Sequence, residues 1–231
     1  MRTLLAPRTV EVPTDRDVLG ATLTVPAGAT GLVVFAHGSG SSRLSPRNRA
    51  VAEVLNTRGL GTLLLDLLTA DEEREDAVTA ALRFDIPFLA SRLRTATAWA
   101  ATDEETQALR VGYFGASTGA AAALVAAATR PHLIRAVVSR GGRPDLAGAS
   151  LGRVTAPTLL IVGSRDTEVV SLNQLARHEM THSPVTLLQL VPGATHLFEE
   201  RGALELVGDL ACNWFEHYLA GVGTAPVAIH R

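Results

Sequence analysis

The sequence predicts an α/β fold, a mostly parallel central sheet of about eight strands with helices on both faces. Three observations predict it. Short apolar runs alternate with longer helical patterns along the chain. The inner runs are apolar at consecutive positions, as in strands buried on both faces of a parallel sheet. Hydrophobic residues make up 47% and charged residues 19% of 231 residues, the balance of a chain that buries a core.

The elements follow in order. Residues 9–12 and 18–25 flank a Thr14-Asp15-Arg16-Asp17 turn and read as an antiparallel hairpin at the sheet edge. Residues 31–36 are nearly all apolar and form the first buried strand. Ser45-Pro46 supplies an N-cap with proline in the first helical position, and Gly59 closes the helix that follows. Residues 61–65 are a strand ending at Asp66. The acidic run 71–76 reads as a solvated helix start, with bordering the site entrance as the alternative. A helix over 86–101, a strand over 109–114 and an alanine-rich helix over 117–129 come next. Strands at 133–139, 158–162 and 185–191 alternate with helices at 169–178 and 202–219. No repeat or low-complexity linker divides the chain, so one domain is expected, with its core over about 9–220 and a short loose tail after Gly221.

Bulk properties exclude several classes. A net charge of −2, with scattered arginines, gives no field for nucleic acid. One cysteine, Cys212, allows no internal disulfide and no cysteine-based zinc cage, and its apolar helical setting marks a small buried hydrophobe. Residues 1–7 turn polar too quickly for a signal peptide. No run of about 18 apolar residues exists to span a membrane. The expected compartment is the cytoplasm, and the expected state a monomer or homodimer.

Gly115-Ala116-Ser117-Thr118-Gly119 follows a strand and opens a helix, the context that a G-x-S-x-G nucleophile turn requires. So sharp a reversal strains the central residue and leaves no room for side chains two positions either side. Ser117 would stand above the sheet edge at a helix N-terminus, where negative charge is favoured. The strand at 158–162 leads into Gly163-Ser164-Arg165-Asp166. The strand at 185–191 leads into Pro192-Gly193-Ala194-Thr195-His196. Serine, acid and histidine thus lie in loops at strand C-termini, where active sites of open α/β sheets sit. A serine hydroxyl needs a base to take its proton; neutral imidazole does this near pH 7, and a carboxylate fixes its tautomer. Ser117 is the candidate nucleophile, His196 the base and Asp166 the orienting acid. Glu168, two residues further on, is the alternative acid. Glu199 and Glu200 read as solvated. His132, His178, His182, His217 and His230 have no strand-end position.

His37-Gly38-Ser39-Gly40 follows the first buried strand. An oxyanion needs two N–H donors: Thr118 supplies one, and Ser39 the second, with Gly38 the neighbour to check. Gly38 and Gly40 would let a substrate approach the backbone. His37 reads as a prop for this loop more than a base.

These motifs together resemble the dienelactone hydrolase family of the α/β-hydrolases, over residues 9–220. The resemblance implies an α/β-hydrolase fold without cofactor or metal. In one respect the chain departs from it: true dienelactone hydrolases use a cysteine nucleophile, and this position is Ser117. The departure favours an ordinary small, short-acyl carboxylic ester as the small-molecule substrate. Dienelactone or lactone hydrolysis, acyl transfer, and a non-catalytic binding protein on the same scaffold are the alternatives. Neither G-x-x-x-x-G-K-[ST] nor G-x-G-x-x-G stands at a strand–helix turn, which leaves a nucleotide-binding reading without support. Only residues 140–157 join the strands at 133–139 and 158–162, too few for a cap domain, so an open site is expected. Within that stretch Arg140 or Arg143 could bind a substrate carboxylate; a loop salt bridge, such as one to Asp145, is the alternative.

Overall fold

The structure, a computed structural model, describes residues 6–220. The first five residues, His230 and the tail after Gly221 lie outside the described residues. Eight strands form one sheet in the order β1-β2-β4-β3-β5-β6-β7-β8. The edge hairpin is β1 (Arg8–Pro13) and β2 (Val18–Thr24), paired antiparallel with Val10 opposite Ala21. β2 also runs against β4 (Gly61–Leu65). From β4 onward all pairings are parallel: β3 (Leu32–Ala36), β5 (Val111–Ala116), β6 (Ile134–Arg140), β7 (Thr158–Gly163) and β8 (Thr186–Val191).

The inner strands bury both faces, which explains their unbroken apolar sequences. In β3, Val34 and Ala36 point to one face, while Val33 and Phe35 point to the other. On the first face pack α3 (Ile86–Ala100), α4 (Thr118–Thr129) and α5 (Thr167–Glu179). On the second pack α1 (Pro46–Thr57) and α6 (Ala203–Leu219). Phe35 and Phe114 meet there with ring centroids 4.7 Å apart, and Phe215 is fully buried beside them. Burying such a ring stabilises by about 1.5–3 kcal/mol. Cys212 is completely buried in this layer, and burial pushes its thiol up to about 12.

Helix starts follow the chemistry of their sequences. Ser45 Oγ accepts from the Asn48 N–H, with Pro46 next to the cap. The acidic α2 (Ala70–Thr79) begins with a capping box between Thr69 and Glu72. The segment between β6 and β7 is no open loop: Pro144–Arg153 forms 3-10 turns, kinked at Gly148, that lie against α4 and α5. It carries no cap over the sheet. No helix among the described residues is long and apolar enough to cross a membrane.

One feature of the topology positions the site. β3 sends α1 to one face and β5 sends α4 to the other, which opens a crevice between their C-terminal ends. In open α/β sheets ligands bind at such a point.

Candidate active site

Ser117 occupies the turn between β5 and α4 with φ 51° and ψ −121°. A non-glycine residue held there costs about 1–3 kcal/mol, so the surroundings must impose it. Its N–H donates to Arg140 O at 3.3 Å, and its carbonyl accepts from Ala120 N and Arg143 N, both at 3.1 Å. The flanking glycines are required by contact. A Cβ on Gly115 would sit 2.4 Å from Ala120 Cα, and one on Gly119 would sit 2.4 Å from the carbonyl oxygens of Ala36 and His37. The small residues of the motif thus let α4 lie directly on the ends of β3 and β5.

Asp166 caps α5 just beyond β7, and His196 follows β8. Asp166 Oδ2 and His196 Nδ1 are 2.7 Å apart. That bond puts the proton on Nδ1 and leaves Nε2 as an acceptor. Glu168, the other candidate acid, lies in the first turn of α5 and makes no bond to the imidazole. The β7 and β8 loops are knitted together: Arg165 N–H donates to Ala194 O at 2.9 Å, and Gly193 N–H to Ser164 Oγ at 2.8 Å. Behind the imidazole stands Gly141, φ 52°, where a Cβ would lie 3.5 Å from His196 Cε1. His196 and Ser117 line one cavity of about 220 Å³. Ser117 Oγ has no hydrogen-bond partner among the described residues, His196 included. In ligand-free sites such bonds are often long and tighten with substrate.

The loop after β3 forms the opposite wall. Leu67 N–H donates to His37 Nε2 at 3.0 Å, so Nδ1 carries the proton and donates to Gly38 O at 2.9 Å. Burial holds the His37 pKa below the ordinary imidazole range, and the ring is a neutral prop. Asp66 anchors the far end of the loop, accepting from Arg43 N–H at 2.7 Å and pairing with the Arg43 guanidinium. Ser39 Oγ and Thr118 Oγ1 are 3.1 Å apart, which ties the loop to the start of α4. Neither the Ser39 N–H nor the Thr118 N–H has a protein acceptor among the described residues. Gly38 is held tight, since a Cβ there would lie 3.0 Å from Ser117 Cβ. Gly38 and Ser39 line both the 220 Å³ cavity and a larger one of about 500 Å³; Gly40 lines only the larger. Leu44, Leu67, Leu68 and Leu89 give that larger cavity an apolar wall.

The two candidate arginines part company. Arg143 pairs with Asp145 through two bonds of 2.9 and 2.8 Å, which is the loop salt bridge. Arg140 is buried and lines the cavity of Ser117 and His196.

Two expectations need correction. Glu200 is only partly solvated: it accepts from Thr195 N–H at 3.0 Å and Thr195 Oγ1 at 2.6 Å, clamping the residue before His196. The Thr195 hydroxyl bond, chief among its contacts, holds its carboxyl below the usual range. Nor is the acidic run wholly a solvated face. Asp76 is buried, bonds Arg83 at 2.6 Å and borders the larger cavity with Glu73. Asn173 was not apparent in the sequence; fully buried, its amide donates to Gly142 O at 3.0 Å and steadies the turn beyond Arg140. Among the described residues, no three His, Cys, Asp or Glu side chains gather as a cation site.

Fold and site together have the layout of an α/β-hydrolase. The family model of the dienelactone hydrolases matches residues 19–218, and the chain belongs to that family. A crystal structure of dienelactone hydrolase from Anabaena variabilis ATCC 29413 is similar at 56% identity, with a TM-score of 0.89, covering 93% of this chain and 98% of that one. Est1E from Butyrivibrio proteoclasticus shares the fold, at 17% identity and a TM-score of 0.75 over 91% of this chain and 98% of its own. Two curated proteins of Mycobacterium tuberculosis strains, provisionally named as phosphoribosyl transferases, are 62% identical over 201 residues. The match covers 87% of this chain but 44% of theirs, so the chain spans less than half the length of those relatives. Membership of the family supports hydrolase activity.

Proposed function

We propose that the chain is a serine hydrolase that cleaves small, short-acyl carboxylic esters through an acyl-serine intermediate. The observation that carries this reading is the strained Ser117 sharing a cavity with His196, whose Nδ1 is bonded to Asp166. Ser117 Oγ attacks the ester carbonyl while His196 Nε2 takes its proton. The Thr118 and Ser39 N–H groups receive the oxyanion, each worth about 3 kcal/mol in such sites. His196 then protonates the departing alcohol, and Asp166 stabilises the imidazolium in between. Water attacks the acyl-serine by the same route in reverse. A serine in place of the family's cysteine fits an ordinary ester better than a dienelactone. The cavity of about 500 Å³ beside the oxyanion loop, with its wall of four leucines, suits a short acyl chain.

The test is hydrolysis of p-nitrophenyl esters from acetate to palmitate by wild type and Ser117→Ala. Rates should fall with chain length, and the variant should lose roughly 10⁴-fold in kcat. Equal rates in the two proteins would remove the nucleophile assignment.

A further inference from the structure

Arg140 ends β6 with only 7% of its surface exposed, and no carboxylate lies within 4.0 Å of it among the described residues. A buried charge without a counter-ion is costly, and an anion from outside the chain would offset that cost. Its own contacts are thin. Nη2 reaches Asn48 Oδ1 at 3.5 Å, the guanidinium lies 5.7 Å from the Phe198 ring centre, and Nε has no partner among the described residues. Burial first, and then the charge of Arg47, lower its pKa to about 10, which still leaves it a cation at neutral pH.

Arg47 lines the same cavity, from the first turn of α1. Among the described residues its Nε is also unpartnered, and its one acidic neighbour, Glu199, is 3.5 Å away and 67% exposed. Ser41, Ser45 and Asn48 add polar groups, and the N-terminus of α1 adds its dipole. Two cations, a helix start and several hydroxyl or amide groups therefore line a space that also holds Ser117 and His196. A planar carboxylate is satisfied by one guanidinium fork and would leave the second cation idle. A tetrahedral dianion matches both charges and the spread of donors.

We propose that this cavity is the phosphate subsite of the substrate, an acyl ester of a small phosphorylated alcohol. The proposal rests on the serine-hydrolase reading above. His196, which must protonate the departing alcohol, lines this cavity and not the larger one. The phosphate therefore rides on the alcohol limb, and the acyl limb enters the larger cavity along its leucine wall. In the reaction the Ser117 Oγ–acyl bond forms, the ester C–O bond breaks, and the serine proton passes through His196 to the alcohol oxygen. Water then releases the acid, and the phosphate is untouched throughout.

The experiment measures acid release by pH-stat from 2-acetoxyethyl phosphate, its carboxylate counterpart 3-acetoxypropanoate and the neutral propyl acetate. Wild type should favour the phosphorylated ester at least tenfold in kcat/KM over the neutral one. Arg140→Gln should bring that ratio near one, and Arg47→Gln should lower it in part. Should Arg140→Gln fail to fold, Arg140→Lys, which keeps the charge but not the fork, should give an intermediate ratio. In parallel, inorganic phosphate should raise the Tm of Ser117→Ala but not of Ser117→Ala/Arg140→Gln. An undiminished ratio in Arg140→Gln, or a carboxylate ester cleaved as fast as the phosphorylated one, would overturn the proposal and leave the esterase reading intact. So would phosphate binding without any preference for the phosphorylated ester. If wild type cleaved none of the esters yet bound phosphate through Arg140, the esterase reading would fall and the anion site would stand.

Discussion

Replacing Arg140 by methionine should make the protein more stable. Burial, with Arg47 adding to it, lowers the Arg140 pKa from the ordinary guanidinium range to about 10. At 1.36 kcal/mol per unit, that corresponds to a penalty of about 3 kcal/mol for keeping the side chain charged in the fold. Methionine removes the penalty and keeps much of the packing volume. Against this stands the loss of the ring contact with Phe198, about 0.5–1 kcal/mol, and of a long hydrogen bond to Asn48. The net gain should be about 2 kcal/mol, and at this chain length each kcal/mol moves Tm by about 2–4 °C. The pH dependence follows from the direction of the shift. A cation whose folded pKa is depressed is penalised at every pH below that folded value, because the unfolded side chain is protonated there too. The gain should therefore be the same at pH 5.5 and pH 8.5. Urea denaturation of both proteins, without added anions, measures it. A variant less stable than wild type would show that Asn48 and Phe198 satisfy Arg140 within the fold, and would take away the reason for an external anion.

Gly119→Ala should destabilise by about 3 kcal/mol or more and lower activity, because its Cβ would press to 2.4 Å on the backbone oxygens of Ala36 and His37; unchanged urea midpoints would contradict the packing described for the turn. Glu200→Ala should lower kcat about tenfold with little change in KM, because Glu200 touches Thr195 and not the cavity. Glu200→Gln, which can still accept from Thr195, should recover part of the rate, and a loss confined to KM would show that Glu200 acts on substrate instead.

Much of this was legible in the sequence because strand ends and turns carry strong local signals. The three residues Ser117, Asp166 and His196 each follow an apolar strand through a glycine-containing turn, and the structure brings Asp166 and His196 into contact and sets Ser117 on the same cavity. The Ser45-Pro46 start and the hairpin at residues 8–24 were equally local. What escaped depended on chain returning from elsewhere. Asp76 reads as one of five acids in a six-residue run until Arg83, past the end of α2, folds back onto it. Glu200 reads as solvated until the turn after β8 brings it under Thr195. Arg140 and Arg143 look alike in sequence; the left-handed Gly141 between them sends Arg143 to Asp145 and leaves Arg140 beneath the cavity. The 3-10 turns of Pro144–Arg153 have no helical periodicity to betray them, and Gly148 breaks them midway.

The most direct test of the account is the site of covalent capture. Diethyl p-nitrophenyl phosphate should modify one residue per chain, and peptide mass spectrometry should place the adduct on Ser117. His196→Ala should slow the labelling by orders of magnitude, since the hydroxyl would lose its base. An adduct on Ser39, Ser41 or Ser45, which share the cavity wall, with Ser117 unmodified, would contradict the account.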